Sequence, residues 1–475
     1  MAEQQEEEGD PTLTEAKKQE LNELQQKVDV CRQLNDLDAA LEQLLPLEKA
    51  QRQRADVLGS KLVLVEAVRL CRAHNAWNTL MEYATLLSKR RAQLKRATAE
   101  MVREAASYLD HTPDVGTEVD LIKTLTDIAT GKIFLEVEKA RLTRRLAKIQ
   151  ESQGKPQEAC DTLQEVAVET YGGLSKREKS AFILEQMRLL LDTNDFDKAQ
   201  IISHKVQPRA LDELAKGKKQ DSSDADKQGR LTVGVELPSA LELKRTYWSL
   251  MIRYYQHENN LLELCRCYQA LYEDALENQE ENSWKAYLKK VCWFVVLTQH
   301  GTMQQSLLFQ MHRDRKLSEL PLHRDVVRMF VTSEVIDWSD FMSKVSDEME
   351  VEKDVFAGEH AEQRRLDLHS RVIEHNCIVV SGYYSRIQLS RLAELLGLSA
   401  DEAESRLSDA VVNSLVKAKI DRPAGVVDFT RHISSQDELN RWVDSVEKML
   451  SYVEGASHRI SKEAMAHRVD LDVAG

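Results

Sequence analysis

The apolar positions of the chain recur mainly at three- and four-residue steps, which is the period of amphipathic helices. Residues 182–191 (Phe-Ile-Leu-Glu-Gln-Met-Arg-Leu-Leu-Leu) show this spacing, with polar side chains between the apolar ones. Leu, Ala, Glu, Lys, Arg and Gln dominate the composition, whereas only 17 Gly and 8 Pro occur. Because the dominant residues lose little rotamer freedom in a helix, pattern and composition together predict a mostly α-helical protein.

Turn-forming residues interrupt the helical pattern at nearly regular intervals. Asn35 and Asn75 lie 40 residues apart. Gly154 and Asn194 show the same separation. A period of about forty residues with two helices in each unit is typical of an α-solenoid, in which helix pairs bury their apolar faces by stacking on their neighbours. We therefore predict a TPR-like α-solenoid arm over residues 13–335.

Two segments depart from this helical pattern. Residues 1–12 are acidic and poor in apolar side chains, which predicts a disordered tail. Residues 216–229 show no apolar periodicity, and their lysines are balanced by aspartates. This composition predicts a solvated loop inserted into the arm, and it does not form a basic patch.

The pattern changes near residue 386, where residues 386–389 alternate as a short strand. A helix over residues 390–396 follows, and Gly397 supplies its C-cap. Ser399 is placed to cap a second helix, with Glu402 completing a capping box. These signals predict two short helices joined by a tight turn.

Alternating residues follow the second helix at 415–420 and again at 426–429, around a turn at 421–425. The order of strand, helix, turn, helix and hairpin predicts a winged helix, which we place in a region over residues 336–432. The fold class expected overall is all-α with a small β-hairpin: a helical-repeat solenoid, then a winged helix, then a long C-terminal helix.

A winged helix often binds DNA by laying its second helix in the major groove. Here that helix carries four acidic residues against a single base, so it would repel phosphate, and no Arg, Asn or Gln set is placed to read base edges. We predict protein docking through the hairpin edge instead, with a winged-helix nucleic-acid binder as an alternative. The residues expected to form the docking element are Ile387, Leu389, Val416, Ile420, Val427 and Phe429.

The last segment, residues 433–475, is predicted to form one long helix. Its apolar or small positions alternate in steps of four and three, which indicates a heptad seam. The seam is longer than a small winged helix can cover, so we predict a helical bundle with partner chains, the alternative being a helix packed on its own domain. The seam positions are Leu439, Val443, Val446, Leu450, Val453, Ser457, Ile460 and Ala464, and the expected interface residues are the six large apolar ones, Leu439, Val443, Val446, Leu450, Val453 and Ile460.

Charge and cysteine usage narrow the possible partners and compartment. The formal net charge of −14 argues against general binding to nucleic acid or to anionic membranes. No apolar run approaches the roughly 20 residues of a membrane span, and the N-terminus shows no signal-peptide pattern. The cysteines are odd in number and scattered, which indicates a reducing compartment, the cytoplasm or the nucleus.

Motifs for catalysis or metal binding are missing from the sequence. Lys132 lacks the upstream glycine and the following Ser or Thr of a phosphate-binding loop. Cys265 and Cys267 form a single pair with no second pair at zinc spacing. His375 and Cys377 are too close along one helix to face each other as a catalytic dyad. We therefore expect no enzymatic activity, no metal and no cofactor.

Helical repeats followed by a winged helix and a heptad helix resemble the PCI modules shared by the proteasome lid, the signalosome and a translation initiation factor complex. Seven blocks, in order along almost the whole chain, resemble one PCI subunit of the proteasome lid in particular. They are residues 86–95, 131–143, 169–172, 182–189, 371–376, 383–387 and 421–425.

This resemblance implies a stoichiometric, non-catalytic lid subunit of the 19S regulatory particle, acting in ubiquitin-dependent protein degradation. It implies a hetero-oligomer in which the winged helix joins an arc of PCI domains and the last helix joins a bundle with other lid subunits. The arm would reach toward the base ATPases, the core particle and the lid deubiquitinase. The corresponding PCI subunit of the signalosome is the alternative within the same family, although the blocks around Lys89 and Gly131 favour the proteasome.

Overall fold

The computed structural model of the chain describes residues 15–32, 36–215, 238–278, 283–357, 360–429 and 435–467. The predicted tail over residues 1–12, the predicted loop over residues 216–229 and the turn residue Asn35 lie outside these ranges. The chain divides into two compact units, Met1–Tyr254 and Tyr255–Gly475. The described residues are mostly helical with one three-stranded sheet, which confirms the predicted fold class.

The first unit consists of successive helices. Short 3₁₀ segments at Leu109–His111, Ile133–Leu135 and Val168–Thr170 lie between some of them. The helices are α1 (Glu15–Arg32), α2 (Leu37–Gln53), α3 (Val57–Ala73), α4 (Trp77–Lys89), α5 (Lys95–Ser107), α6 (Val115–Ala129), α7 (Glu136–Ser152), α8 (Pro156–Gln164), α9 (Lys176–Asp192), α10 (Phe196–Ser203), α11 (Pro208–Ala215) and, at the boundary with the second unit, α12 (Ala240–Glu258).

The second unit continues with helices and ends in the sheet-containing module and a long helix. A 3₁₀ segment spans Arg315–Glu319. The elements are α13 (Leu261–Glu277), α14 (Ser283–Leu297), α15 (Thr302–His312), α16 (Pro321–Val331), α17 (Trp338–Val351), α18 (Lys353–Phe356), α19 (Ala361–Tyr383), β1 (Arg386–Gln388), α20 (Leu389–Leu396), α21 (Ala400–Val412), β2 (Ala418–Asp421), β3 (Val426–Phe429) and α22 (Ser435–His467).

The turn residues singled out by the sequence share one backbone conformation. Asn75, Gly154 and Asn194 have φ values of 53°, 77° and 61°. Asn259, which joins α12 to α13, has a φ of 53°. Gly has no Cβ to clash in this left-handed region, and Asn tolerates it better than most residues, so both suit the sharp end of a helix. The same turn thus closes four helix pairs, as a helical-repeat array requires.

One buried cluster runs through the first unit from Leu24 in α1 to Leu146 in α7. Leu64, Leu80 and Leu121, from three different helices, are almost completely buried within it. No single helix pair could cover these side chains by itself. The continuous core follows from stacking each pair on the next, which is the physical basis of solenoid stability.

Arginine–glutamate pairs connect alternate helices of the first unit. In each pair the two residues are 34 to 37 positions apart, about one repeat, so the bonds run from one repeat to the next. An isolated surface pair contributes little stability, but a series of pairs with shared partners restrains how the repeats stack. The pairs are Arg32 with Glu66, Arg69 with Glu104, Arg103 with Glu138, and Arg141 with Glu178.

His323 of α16 is a buried titratable group in the second unit. Its ring lies edge-on to Trp293 of α14, with the two ring centroids 5.7 Å apart. The Nε2 atom has no hydrogen-bond partner among the described residues, and Glu348 Oε1 lies 4.0 Å from it. Burial lowers the pKa of His323 to about 4, although Glu348 acts in the opposite direction. The imidazole is therefore neutral in the folded protein at neutral pH.

We expect acid to destabilise the second unit through His323. Its folded-state pKa of about 4 lies below the value of about 6.5 for an unfolded histidine, so the unfolded chain takes up the proton first. The contribution of neutral His323 to the free energy of unfolding is fully present well above pH 6.5. It is lost as the pH falls toward 4, by up to about 3 kcal/mol in total. His323→Phe, which keeps an aromatic ring against Trp293, should remove this share of the acid sensitivity.

Urea unfolding of both proteins at about pH 7.5 and about pH 5, followed by tryptophan fluorescence, measures the His323 contribution. The wild-type chain should lose about 2 kcal/mol more than His323→Phe between the two conditions. Equal losses in the two proteins would show that His323 does not titrate in this range.

Candidate functional site

The predicted winged helix is present in the second unit. Strand β3 lies between β1 and β2, and both pairings are antiparallel. Gly397 ends α20 with a φ of 66°. Ser399 and Glu402 form the predicted capping box at the start of α21, each side chain accepting a hydrogen bond from the backbone N–H of the other. These local signals confirm the order of elements read from the sequence.

The six side chains predicted to dock a partner lie inside this module. Four of them belong to its buried core together with residues of α19, and the other two are partly buried against that core. Their burial assigns these side chains to holding the module together. Because β1 and β2 are the outer strands, a partner that pairs with the sheet would meet the backbone of one of them. The core residues are Ile387, Val416, Val427 and Phe429, and the partly buried ones are Leu389 and Ile420.

The acidic residues of α21 either form local hydrogen bonds or are exposed to solvent. Glu404 accepts a hydrogen bond of 2.5 Å from Arg422 in the turn between β2 and β3. Glu402 takes part in the capping box, and Asp401 and Asp409 are exposed. The surface that a DNA-binding winged helix would present to phosphate is thus acidic, which is unfavourable for that contact.

The cysteine residues considered as candidate chemistry are buried, and His375 is half-buried. Burial raises the pKa of the Cys265 and Cys267 thiols and raises that of Cys377 to about 12. Burial lowers the pKa of His375 to about 4, and its Nε2 lies 3.1 Å from the backbone oxygen of Glu334. A thiol with a raised pKa is a poor nucleophile and a poor metal ligand.

Within the described ranges, no cluster of three or more His, Cys, Asp or Glu side chains is arranged to hold a metal ion. None of the helices there combines the length and the apolar character required to cross a bilayer.

Helix α22 carries the predicted seam on an open surface. It spans 33 residues, so its length is about 50 Å. Arg313, which follows α15, forms ion pairs with Asp444 and Glu447 of α22. Val443, next to Asp444 in the sequence, is half-buried. The five remaining large seam residues are exposed, by 37% to 59%: Leu439, Val446, Leu450, Val453 and Ile460.

Two large exposed side chains of α22 are not among the predicted seam positions. Trp442 and Met449, each one position before a seam residue, are 65% and 66% exposed. They widen the apolar stripe beyond the two positions per heptad of a simple coiled coil. Their seven-residue spacing was visible in the sequence and would have revealed them.

The two halves of the architecture match known families separately. Residues 39–221 match the family described as PSMD12/CSN4, N-terminal, and residues 348–431 match the PCI domain. The 26S proteasome non-ATPase regulatory subunit 12 homolog A of Arabidopsis thaliana is 46% identical over 435 residues, which cover 92% of this chain and 98% of the relative. The chain belongs to the family of the 26S proteasome non-ATPase regulatory subunit 12.

Other members of the subunit 12 family span the chain to a similar extent. The 26S proteasome regulatory subunit RPN5 of Saccharomyces cerevisiae is 35% identical over 443 residues, covering 93% of this chain and 94% of the relative. By contrast, the COP9 signalosome complex subunit 4 of Caenorhabditis elegans is 20% identical over 357 residues, or 72% of this chain and 77% of the relative. The signalosome alternative is therefore a distant relationship, and the subunit 12 family is the one shown.

Proposed function

We propose that this chain is a non-catalytic assembly subunit of the proteasome lid, which supports ubiquitin-dependent protein degradation through protein–protein contacts. The observation that carries the proposal is the exposed apolar face of α22, on a chain whose relatives are named as regulatory subunits of the 26S proteasome. Large apolar patches on a soluble chain mark interaction sites, because leaving them in water is unfavourable.

The width of the apolar face indicates what it binds. A stripe of two positions per heptad suits one partner helix, whereas a third position suits a helix inside a bundle. Trp442 and Met449 supply that third position, so α22 packs among at least two other helices. We propose that these helices belong to other PCI subunits of the lid, and that the chain acts as part of a hetero-oligomer.

The remaining contacts of the proposal involve the winged helix and the arm. An outer strand of the sheet, β1 or β2, would pair with a neighbouring PCI subunit through its backbone. The arm, proposed over residues 13–335, would approach the lid deubiquitinase, the base ATPases and the core particle. The proposed PCI region (336–432) and bundle helix (433–475) complete the chain. A cytoplasmic and nuclear location fits a subunit of this kind.

Charged residues in the seam should prevent assembly without unfolding the chain. In Val446→Asp, Leu450→Asp, two carboxylates would be buried in the bundle, and we expect incorporation into the 26S complex to fall by at least about a hundredfold. Because both positions are exposed in the isolated chain, its melting temperature should change by no more than about 2 °C. Affinity purification of the tagged chain with quantitative mass spectrometry of co-purified subunits measures incorporation.

A matched control places the same substitutions on the opposite side of the helix. Ser451→Asp, His458→Asp adds two carboxylates at exposed positions outside the seam and should assemble normally. Normal recovery of proteasome subunits with Val446→Asp, Leu450→Asp would contradict the proposed use of α22. Recovery of signalosome subunits without proteasome ATPases from the wild-type chain would contradict the proposed complex.

A further inference from the structure

The connection between α4 and α5 in the first unit is strongly basic. Lys89, Arg90, Arg91, Lys95 and Arg96 lie within eight positions, and no acidic residue occurs between positions 83 and 99. The chain as a whole has a formal net charge of −14, so this concentration of positive charge runs against its composition. We call residues 89–96 the basic loop.

A buried carboxylate holds the basic loop in place. Glu48 of α2 is 1% exposed and accepts hydrogen bonds from Arg52, Arg90 and Gln93, at 3.0, 2.5 and 3.2 Å. Arg52 also donates a bond of 2.6 Å to the backbone oxygen of Arg91. The loop is therefore fixed by charge-assisted bonds from within the unit.

The loop also contains a strained residue. Ala92 has a φ of 65°, a left-handed conformation that costs a non-glycine residue about 1–2 kcal/mol. Such conformations persist only where surrounding contacts enforce them, and they are concentrated at functional sites. The bonds to Glu48 on both sides of Ala92 are the contacts that enforce it.

The side chains of three cations in the basic loop form no bond with Glu48. Lys89, Arg91 and Lys95 are exposed, and within the described residues none of their side chains pairs with a carboxylate. Arg90, by contrast, forms an ion pair with Glu48. The loop thus presents three cations that are available to a negatively charged ligand.

An apolar groove adjoins one of these three cations, Lys89. Its volume is about 620 Å³, and α4 and α6 line it, with Met81 and Leu86 on the apolar side and Thr124 opposite. Leu86 is 47% exposed. Lys89 lies at the end of the groove nearest the basic loop, and Glu82 lies at the other end of the same helical stretch. Apolar lining and available cations therefore meet at Lys89.

We propose that this groove and the basic loop bind an acidic segment of a partner protein that inserts an apolar side chain beside Leu86. The cations select carboxylates, and the groove selects an aliphatic or aromatic side chain next to them. Nucleic acid fits less well, because phosphates would use the cations and leave the apolar lining uncovered. The proposed surface belongs to the first unit and shares no residue with α22, so its failure would leave the bundle proposal standing.

Site-specific photocrosslinking within the assembled 26S complex tests this proposal. The photoreactive residue p-benzoylphenylalanine replaces Glu82, which lines the groove and is not one of the proposed binding groups. After illumination, mass spectrometry identifies the crosslinked peptide. We expect a segment of another chain with several Asp or Glu residues and an apolar residue among them.

Two variants separate charge from apolar contact. Lys89→Glu, Arg91→Glu should reduce the crosslink by at least about tenfold, because like charges would then face each other. Leu86→Ser should reduce it with the cations left in place. Lys148→Glu, Arg209→Glu makes the same change in net charge at exposed positions elsewhere in the first unit and should leave the yield unchanged. Circular dichroism verifies that each variant is folded.

Several results would overturn the proposal. These are no crosslink in a complex that contains the substituted chain, crosslinks only to this chain itself or to nucleic acid, and a partner segment that is neutral or basic. A crosslink that survives Lys89→Glu, Arg91→Glu unchanged would equally exclude a role for the basic loop. Loss of the crosslink in the Lys148→Glu, Arg209→Glu control would attribute the effect to overall charge.

Discussion

Replacing Glu48 with Gln is expected to lower the free energy of unfolding of the first unit by about 3–5 kcal/mol. Glu48 is the buried acceptor for two arginines whose side chains are only 17% and 24% exposed. A neutral amide of the same size cannot balance them, and its NH₂ group would confront donors. Removing one member of a buried ion cluster leaves uncompensated charge, which is far more damaging than removing a surface pair.

Hydrogen exchange of the full chain, measured by mass spectrometry in peptides from α2 and α5, detects this loss of stability. A loss of 3 kcal/mol or more corresponds to exchange at least about a hundredfold faster in the most protected amides. Glu42→Gln, an exposed position on the same helix, makes an identical change in charge and should leave exchange unchanged. Similar exchange in the two variants would show that Glu48 is not the anchor of the basic loop.

Truncating Arg364 to Ala is expected to cost the second unit about 3–5 kcal/mol. Arg364 is 3% exposed and pairs with no carboxylate among the described residues. It donates hydrogen bonds to Asn259 Oδ1 and to the backbone oxygen of Val355, at 3.2 and 2.8 Å, and lies over the ring of Phe294. Burial lowers the pKa of this guanidinium. Arg364 is therefore a buried hydrogen-bond donor that links the turn between α12 and α13 to α18.

Two further substitutions divide this cost into its parts. Arg364→Met fills most of the volume but leaves both acceptors without a donor, so it should cost about 1–3 kcal/mol. Arg365→Ala removes the exposed neighbouring arginine and should cost less than about 0.5 kcal/mol. Hydrogen exchange in peptides from α13 and α19 measures all three variants. An Arg364→Ala variant as stable as Arg365→Ala would refute the role given to this side chain.

Local signals in the sequence accounted for much of the fold. Gly397 ends a helix because a left-handed residue is needed there, and Ser399 and Glu402 cap the next helix through bonds only three residues apart. The turns at Asn75, Gly154 and Asn194 were recognisable for the same reason. Such features depend on neighbours along the chain, so a single sequence contains the information needed to locate them.

The predicted site shows the limit of that information. An apolar residue in a short strand such as Val427 is equally compatible with a core and with a docking surface. Only its burial in one cluster with residues of α19, α20 and α21 identifies it as core. The wide apolar face of α22 is a clearer case. Its periodicity predicts an amphipathic helix, but the open position of Leu450 depends on where the rest of the unit lies.

By itself, the sequence determined a helical-repeat chain with a winged helix and a long heptad helix, because periodicity, caps and turns act over a few residues. Only the tertiary structure decided which charges meet across repeats, that Glu48 anchors the basic loop from 42 positions before Arg90, and which apolar faces remain uncovered. These contacts join residues about one repeat apart, and their existence depends on the geometry of stacking. No local pattern encodes that geometry, so the partners of Glu48 and the exposure of α22 appeared only in the folded chain.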